Sequence, residues 1–416
     1  MIRALPLLLL ASFPLGSAQH STHDPAFEKV PFDQWLTERN LGPFHWTAGV
    51  PRVELSFHQR LLARIEIHVD GRDLQNRRAD GQLVFLFQIT DHDGIRYQNH
   101  GVVELSKLDE NVKAATIGYS QRAFFRPGDY RLAVAILDTG TGEHGTREAQ
   151  FRVPPAPREF LASAWRGLPT VEFLGKEDPP DDWFLPEVQG RIQWAAGVQT
   201  AARLNVILNI TPHGTHSGDM AALLPTLKAI TETGSSAITE RVELLDLSRR
   251  RAAFDSTGTN PIDWPPMKDA LGDSNTASLD VHSLSQRHED ARFFVGQIRA
   301  VLRASQAPCV LVVLTAPVSF ESGEDLSPIS TEALPACRVV YIRYRAQVIR
   351  DRPPDPAFGG HGRGGSRMGG PMSHARPVEE IDQLENTLKP LNPKVFDVDN
   401  PEEITKALME IEKDLK

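Results

Sequence analysis

The sequence predicts α/β plus all-β: an antiparallel β-sandwich in the first half and a mostly parallel, doubly wound sheet in the second. Three observations predict it. Short runs with period-two alternation recur over residues 52–153. The run 204–210 (LNVILNI) is apolar almost throughout and then breaks at Pro212 and Gly214. Beyond it, strand-like and helix-like runs alternate to the C-terminus. Alternation signals half-buried antiparallel strands, whereas a continuous apolar run followed by a helix signals a strand buried on both faces.

At 416 residues the chain has room for two or three domains. They read as a signal peptide (1–18), an extended leader (19–51), a β-sandwich (52–153), a linker and connecting segment (154–200) and an α/β domain (201–416). The first segment carries Arg3, an apolar run over 5–15 and then Gly16, Ser17 and Ala18, the pattern of a cleavable secretory signal. The alternative is an uncleaved N-terminal anchor, against which the shortness of the run speaks. The expected location is therefore extracytoplasmic, periplasmic or secreted, with no membrane span after signal cleavage. A net charge of −9 argues against nucleic acid or anionic lipid as a partner.

The leader has Pro, aromatic and polar residues without a period, and reads as extended and packed through Phe32, Trp35, Phe44 and Trp46. In the sandwich, Ile65, Ile67 and Val69 alternate with charged residues. Similar runs follow at 83–89, 102–105, 115–119, 130–137 and 148–153, separated by turns such as Asp93-Gly94 and Pro127-Gly128. About seven short strands over about a hundred residues fit an immunoglobulin-like sandwich, and Pro127-Gly128-Asp129-Tyr130 resembles its tyrosine corner. Val153-Pro154-Pro155-Ala156-Pro157 is a stiff linker. Trp165, Trp183 and Trp194 then pack between the domains.

In the second half, residues 220–230 have helical spacing with Pro225 inside, and 242–247 with 251–254 read as a hairpin. A helix with Phe294, Ile298, Val301 and Leu302 on one face precedes strands at 310–314 and 339–344. The segment 350–377, rich in Gly and Arg, cannot bury a core and reads as a disordered loop; an RGG-type RNA-binding reading does not suit a secreted acidic protein. A strand at 395–398 leads to a terminal helix with Asn400 as cap, Pro401 in the first turn and Glu403 as capping-box acid. Cys309 and Cys337 each precede a strand. Adjacent strands would let them pair, and two buried free thiols are the alternative.

On LNVILNITPHG, RVELLDLSRRRAAF, VLVVLTAPVSFESG and CRVVYIRYR, the second half resembles a von Willebrand factor A (vWA) domain of VWFA-related secreted bacterial proteins. The resemblance implies a site for Mg²⁺ at the carboxyl ends of the strands, opened by D-x-S-x-S and completed by Asp in a T-D-G turn. Carried over, those positions fall on Asn209, Thr211 and His213, and on Thr315, Ala316 and Pro317. Both carboxylates are missing, and a divalent ion needs hard oxygen ligands with negative charge. The expectation is a degenerate site at Asn209, Thr211, His213 and Ala316, with no metal and no cofactor.

Other chemistry at the same loop is incomplete. His213 and His216, with Asp219 beyond, are imidazole and carboxylate ligands of the kind zinc takes, but no third ligand is placed; His282 and His288 are remote. The plainer reading is a polar loop that caps the following helix through Ser217. A nucleophile elbow needs G-x-S-x-G, and Ser217 falls one place late. Asn209-Ile210-Thr211 matches a glycosylation sequon at the end of a buried strand, where chance accounts for it. The expected function is a non-enzymatic protein-binding, adhesion or assembly module with an unidentified protein partner, contacting it through Thr211, His213, His216, Thr315 and Ser319. The alternative is a metal-dependent hydrolase using His213 and His216.

Overall fold

The computed structural model describes residues 23–49, 51–75, 77, 81–108, 112–175, 185, 188–211, 220–258, 262–275, 287–316, 328–329, 337–344 and 382–416. The signal segment, Trp183, Pro212 to Asp219, His282, Pro317, Ser319 and the Gly/Arg-rich segment lie outside them. The fold is mixed α/β, with two antiparallel sheets in the first half and one mixed sheet in the second.

The first half begins with a short 3-10 turn, Pro25–Lys29, and α1, Phe32–Glu38. Its strands are β1 Trp46–Ala48, β2 Arg52–Leu55, β3 Leu61–Asp70, β4 Gln82–Thr90, β5 Arg96–Glu104, β6 Thr116–Phe125, β7 Gly128–Asp138, β8 His144–Val153 and β9 Val171–Phe173. Helices α2, Gly71–Gln75, and α3, Glu159–Ala164, are short. One sheet runs β1-β3-β6-β9 with β2 also on β3; the other runs β5-β4-β7-β8. In β3 the alternation is direct: Leu61, Ala63, Ile65, Ile67 and Val69 are buried while Glu66 and His68 are not. The turns close on Gly94 and Gly142, at φ 79° and 75°, a conformation glycine adopts without a steric penalty. The Tyr130 hydroxyl donates to the Arg126 carbonyl at 2.8 Å.

Two expectations for the flanking segments need correction. The leader is not extended. Phe32, Trp35 and Leu36 share one helical face, and Phe27, Phe32 and Trp35 pack on Leu86, Ala133 and Ala135 of the second sheet. Its periodicity is too short to stand out in sequence, and burying those rings is what makes the helix worthwhile. The segment 154–200 is more than a connection: β9 pairs with β6, and Trp165 and Trp194 are buried.

The second half is built from β10 Ala202–Asn209, α4 Met220–Thr231, β11 Ile238–Asp246, β12 Arg251–Gly258, α5 Trp264–Asn275 and α6 Arg287–Ala304. It continues through β13 Cys309–Thr315, β14 Cys337–Tyr344, α7 Gln383–Leu388, β15 Lys394–Val398 and α8 Pro401–Leu415. The strand order is β12-β11-β10-β13-β14-β15, parallel throughout except the β11–β12 hairpin. Order therefore reverses between β10 and β13. Leu204, Val206 and Leu208 face a core shared with α4 and α8; Ile207 faces another core shared with α6. Cys309 and Cys337 are register partners on β13 and β14 and form a disulfide. Asn400 caps α8 by accepting from the amides of Glu402 and Glu403, while the Glu403 carboxylate pairs with Lys406.

Helix α4 is buried on every side from Ala222 to Thr231, as expected of a helix that is apolar all round and lies between layers. One continuous core runs from the facing sheets of the first half through α4 to the mixed sheet. The β2–β3 turn pins the contact. Gln59 donates its amide to the Pro401 carbonyl at 2.9 Å and accepts from the Thr405 hydroxyl at 2.6 Å, and its carbonyl accepts from Trp165 Nε1 at 2.7 Å. The prolines between the halves therefore do not hold them apart.

Candidate functional site

The reversal of strand order at β10 and β13 opens the sheet at its carboxyl ends, where a doubly wound fold receives ligands. Asn209, the last residue of β10, is 3% exposed. Its Nδ2 donates to Thr315 Oγ1 at 3.0 Å, and its Oδ1 accepts the Thr211 amide at 3.0 Å. The Thr315 hydroxyl donates to the Ala316 carbonyl at 2.9 Å. Thr211 Oγ1 accepts the Leu247 amide at 2.6 Å, which docks the β11–β12 turn against the end of β10. Asn209 thus hydrogen-bonds to both Thr211 and Thr315. Ala316 follows directly. His213, His216 and Ser319, the other expected contacts, lie outside the described residues.

The sequence reading missed Asp246, the last residue of β11. It is 2% exposed, and its Oδ1 accepts from Ser248 Oγ at 2.6 Å and from the Arg249 amide at 3.2 Å. Its Oδ2 lies 3.7 Å from Arg249 Nε. The signal was available: an Asp two residues before a Ser in a tight turn forms an Asx-type cap. Oδ1 is engaged in its own hairpin, Oδ2 is buried without a hydrogen-bond partner, and the residue stands on the neighbouring strand, outside the positions the vWA resemblance designates.

A second polar cluster lies deep beneath α4, and no motif pointed to it. Lys228 of α4 and Glu232, just past the end of that helix, form an ion pair at 3.0 Å with side chains 9% and 8% exposed. Burial pushes the Glu232 carboxyl up, with the Lys228 charge opposing. Glu240 of β11 accepts from the Thr233 hydroxyl at 2.8 Å, while its other oxygen is buried without a hydrogen-bond partner. Burial, with a smaller push from Glu232, raises its pKa to about 7. His58 in the β2–β3 turn is held neutral: burial first, then the charges of Lys228, Arg60 and Arg122, lower it to about 3. The cluster has the character of a buried structural network between layers.

Among the described residues no group of three or more His, Cys, Asp or Glu is placed to hold a metal ion. No helix among them is long and apolar enough to cross a membrane. No protein-family model matches the chain, and no curated protein matches it. Among solved structures there is a similarity to a protein from Bordetella pertussis described as ApaA, 15% identical, covering 28% of this chain and 99% of that one, with a TM-score of 0.19. A superposition that loose conveys no shared activity, and the chain stands as a mixed α/β protein with antiparallel sheets and a mixed sheet.

Proposed function

We propose that this chain is a non-enzymatic extracytoplasmic binding or assembly module, made of an immunoglobulin-like β domain and a vWA-like α/β domain whose metal position is electrically neutral. The observation that carries the reading is the set of hydrogen bonds at the strand ends. Asn209, Thr211 and Thr315 spend their polar groups on one another and on the main chain of Ala316 and Leu247. A divalent cation there would have to break those bonds and would receive from these three residues only an amide and hydroxyls in return, with none of them supplying a charge to offset its own. The strand order, reversing at β10 and β13, supports a contact surface at the same end.

Two experiments test the proposal. Titration calorimetry of the purified protein with Mg²⁺ and Mn²⁺ is expected to show no binding; binding that Thr211→Ala abolishes overturns the neutral-site reading. Replacing residues 211–217 by Gly and Ser is expected to remove the partners recovered from the cell envelope. An unchanged set of partners moves the contact surface away from the strand ends.

A further inference from the structure

The sheet β5-β4-β7-β8 ends at β8, and the open edge of that strand carries a self-complementary pattern. Thr146 directs its amide away from β7, to the Asn40 carbonyl at 2.7 Å. In an antiparallel strand such outward main-chain groups recur at every second residue, so Glu148, Gln150 and Arg152 present theirs in the same direction. Among the described residues these three have no main-chain partner on that side. The next in the series, Pro154, has no N–H to give. The usable edge is therefore 148–152, closed at one end by Asn40 and at the other by Pro154.

The side chains of Glu148, Gln150 and Arg152 are exposed. Among the described residues Arg152 pairs with the exposed Asp129, at 3.7 Å. A groove of about 450 Å³ runs beside the strand, between Leu132, Val134, Arg147 and Ala149 of the sheet and Leu36, Arg39 and Ala48 of the leader segment. An uncapped edge is a template for a further strand, and the charge pattern selects which one. With a second copy laid antiparallel about a two-fold axis at Gln150, Gln150 faces Gln150, Glu148 faces Arg152, and Arg152 faces Glu148. Thr146 then falls opposite Pro154, where one amide is already taken and the other does not exist. Other registers fail. An axis at Glu148 sets two glutamates face to face, an axis at Arg152 sets two arginines, an axis at Ala149 sets Glu148 against Gln150 and Arg152 against the engaged Thr146, and an axis at Phe151 sets Gln150 against Arg152 and Glu148 against Pro154, so none of them brings Glu148 opposite Arg152.

We propose that two copies of this chain associate through an antiparallel β8–β8 pairing centred on Gln150, with Glu148 and Arg152 forming reciprocal ion pairs across the two-fold axis. The contact is isologous, so it closes at a dimer. It is independent of the strand-end reading, because no residue of that site takes part.

Sedimentation of the purified protein at about 100 µM is expected to show a dimer. Gln150→Pro removes an N–H that points away from β7, so the circular dichroism spectrum and melting temperature should persist while dimer affinity falls at least about tenfold. Glu148→Arg and Arg152→Glu should each weaken the dimer through like-charge contacts. Mixing these two single variants should restore a one-to-one dimer, because each then faces opposite charges in the other. A monomeric wild type, single variants that dimerise like the wild type, or a mixture that stays monomeric overturns the proposal. The charge variants keep the test decisive if Gln150→Pro does not fold.

Discussion

Glu240 and His58 show how single buried groups tie this fold to pH, with opposite signs. The Glu240 carboxyl titrates at about 7 in the native state against 4.5 for an ordinary glutamate. A raised carboxyl pKa means that its full contribution is present below about 4.5 and is lost as pH rises through about 7. At pH 8 the buried charge costs up to about 3 kcal/mol. Glu240→Gln should therefore raise the melting temperature at pH 8 and leave it nearly unchanged at pH 4.5; an equal gain at both would refute the buried-charge account. His58 runs the other way, because its native pKa of about 3 lies below the ordinary 6.5. Stability is lost as pH falls from 6.5 toward 3, since the unfolded chain takes a proton that the native one refuses. At the strand ends, Thr211→Val removes the acceptor of the Leu247 amide and should cost about 1 to 3 kcal/mol in denaturant unfolding.

Among the elements, the leader and the disulfide make separable contributions. Trp35 is 7% exposed and stacks on His144 with ring centroids 4.1 Å apart, while Thr146 Oγ1 donates to the Trp35 carbonyl. Trp35→Ala should cost about 3 to 5 kcal/mol. Limited proteolysis should then cut within 23–42, where the wild type resists; resistance equal to the wild type would mean that the leader is held by something other than these rings. The Cys309–Cys337 bridge spans 28 residues of sequence. Its reduction should lower unfolding free energy by about 3 to 4 kcal/mol in the chain-entropy model. Chemical denaturation with and without reductant reads this directly. Arg343 organises the end of β14 in a comparable way, donating to Asp382, Glu385 and Asp397 at 3.0, 2.9 and 2.6 Å.

At the scale of the whole molecule, the continuous core through α4 predicts a single cooperative unfolding transition by calorimetry. Two well-separated transitions would show that the halves fold independently. Gln59, at φ 58°, holds the β2–β3 turn against α8 and α3. Gln59→Gly keeps that left-handed backbone accessible but deletes the bonds to Pro401 and Thr405, so its cost measures the contact between the halves.

The elements were legible because their residues carry a period. Ile65, Ile67 and Val69 alternate in a strand with one buried face, and residues 204–210 form a run broken only by Asn205 and Asn209 because β10 is buried on both. Asn209, Thr211 and Thr315 were likewise legible as strand-end residues, since each ends or directly follows such a run. What the linear order left open were partnerships between residues far apart in the chain. Only the folded chain decides that Cys309 meets Cys337, that Phe27 and Trp35 cover a sheet, that Glu240 is sealed beneath α4, and that Thr211 is occupied by Leu247. Local period follows from the backbone geometry of a single segment, whereas burial and hydrogen-bond pairing depend on which surfaces the tertiary fold brings into contact.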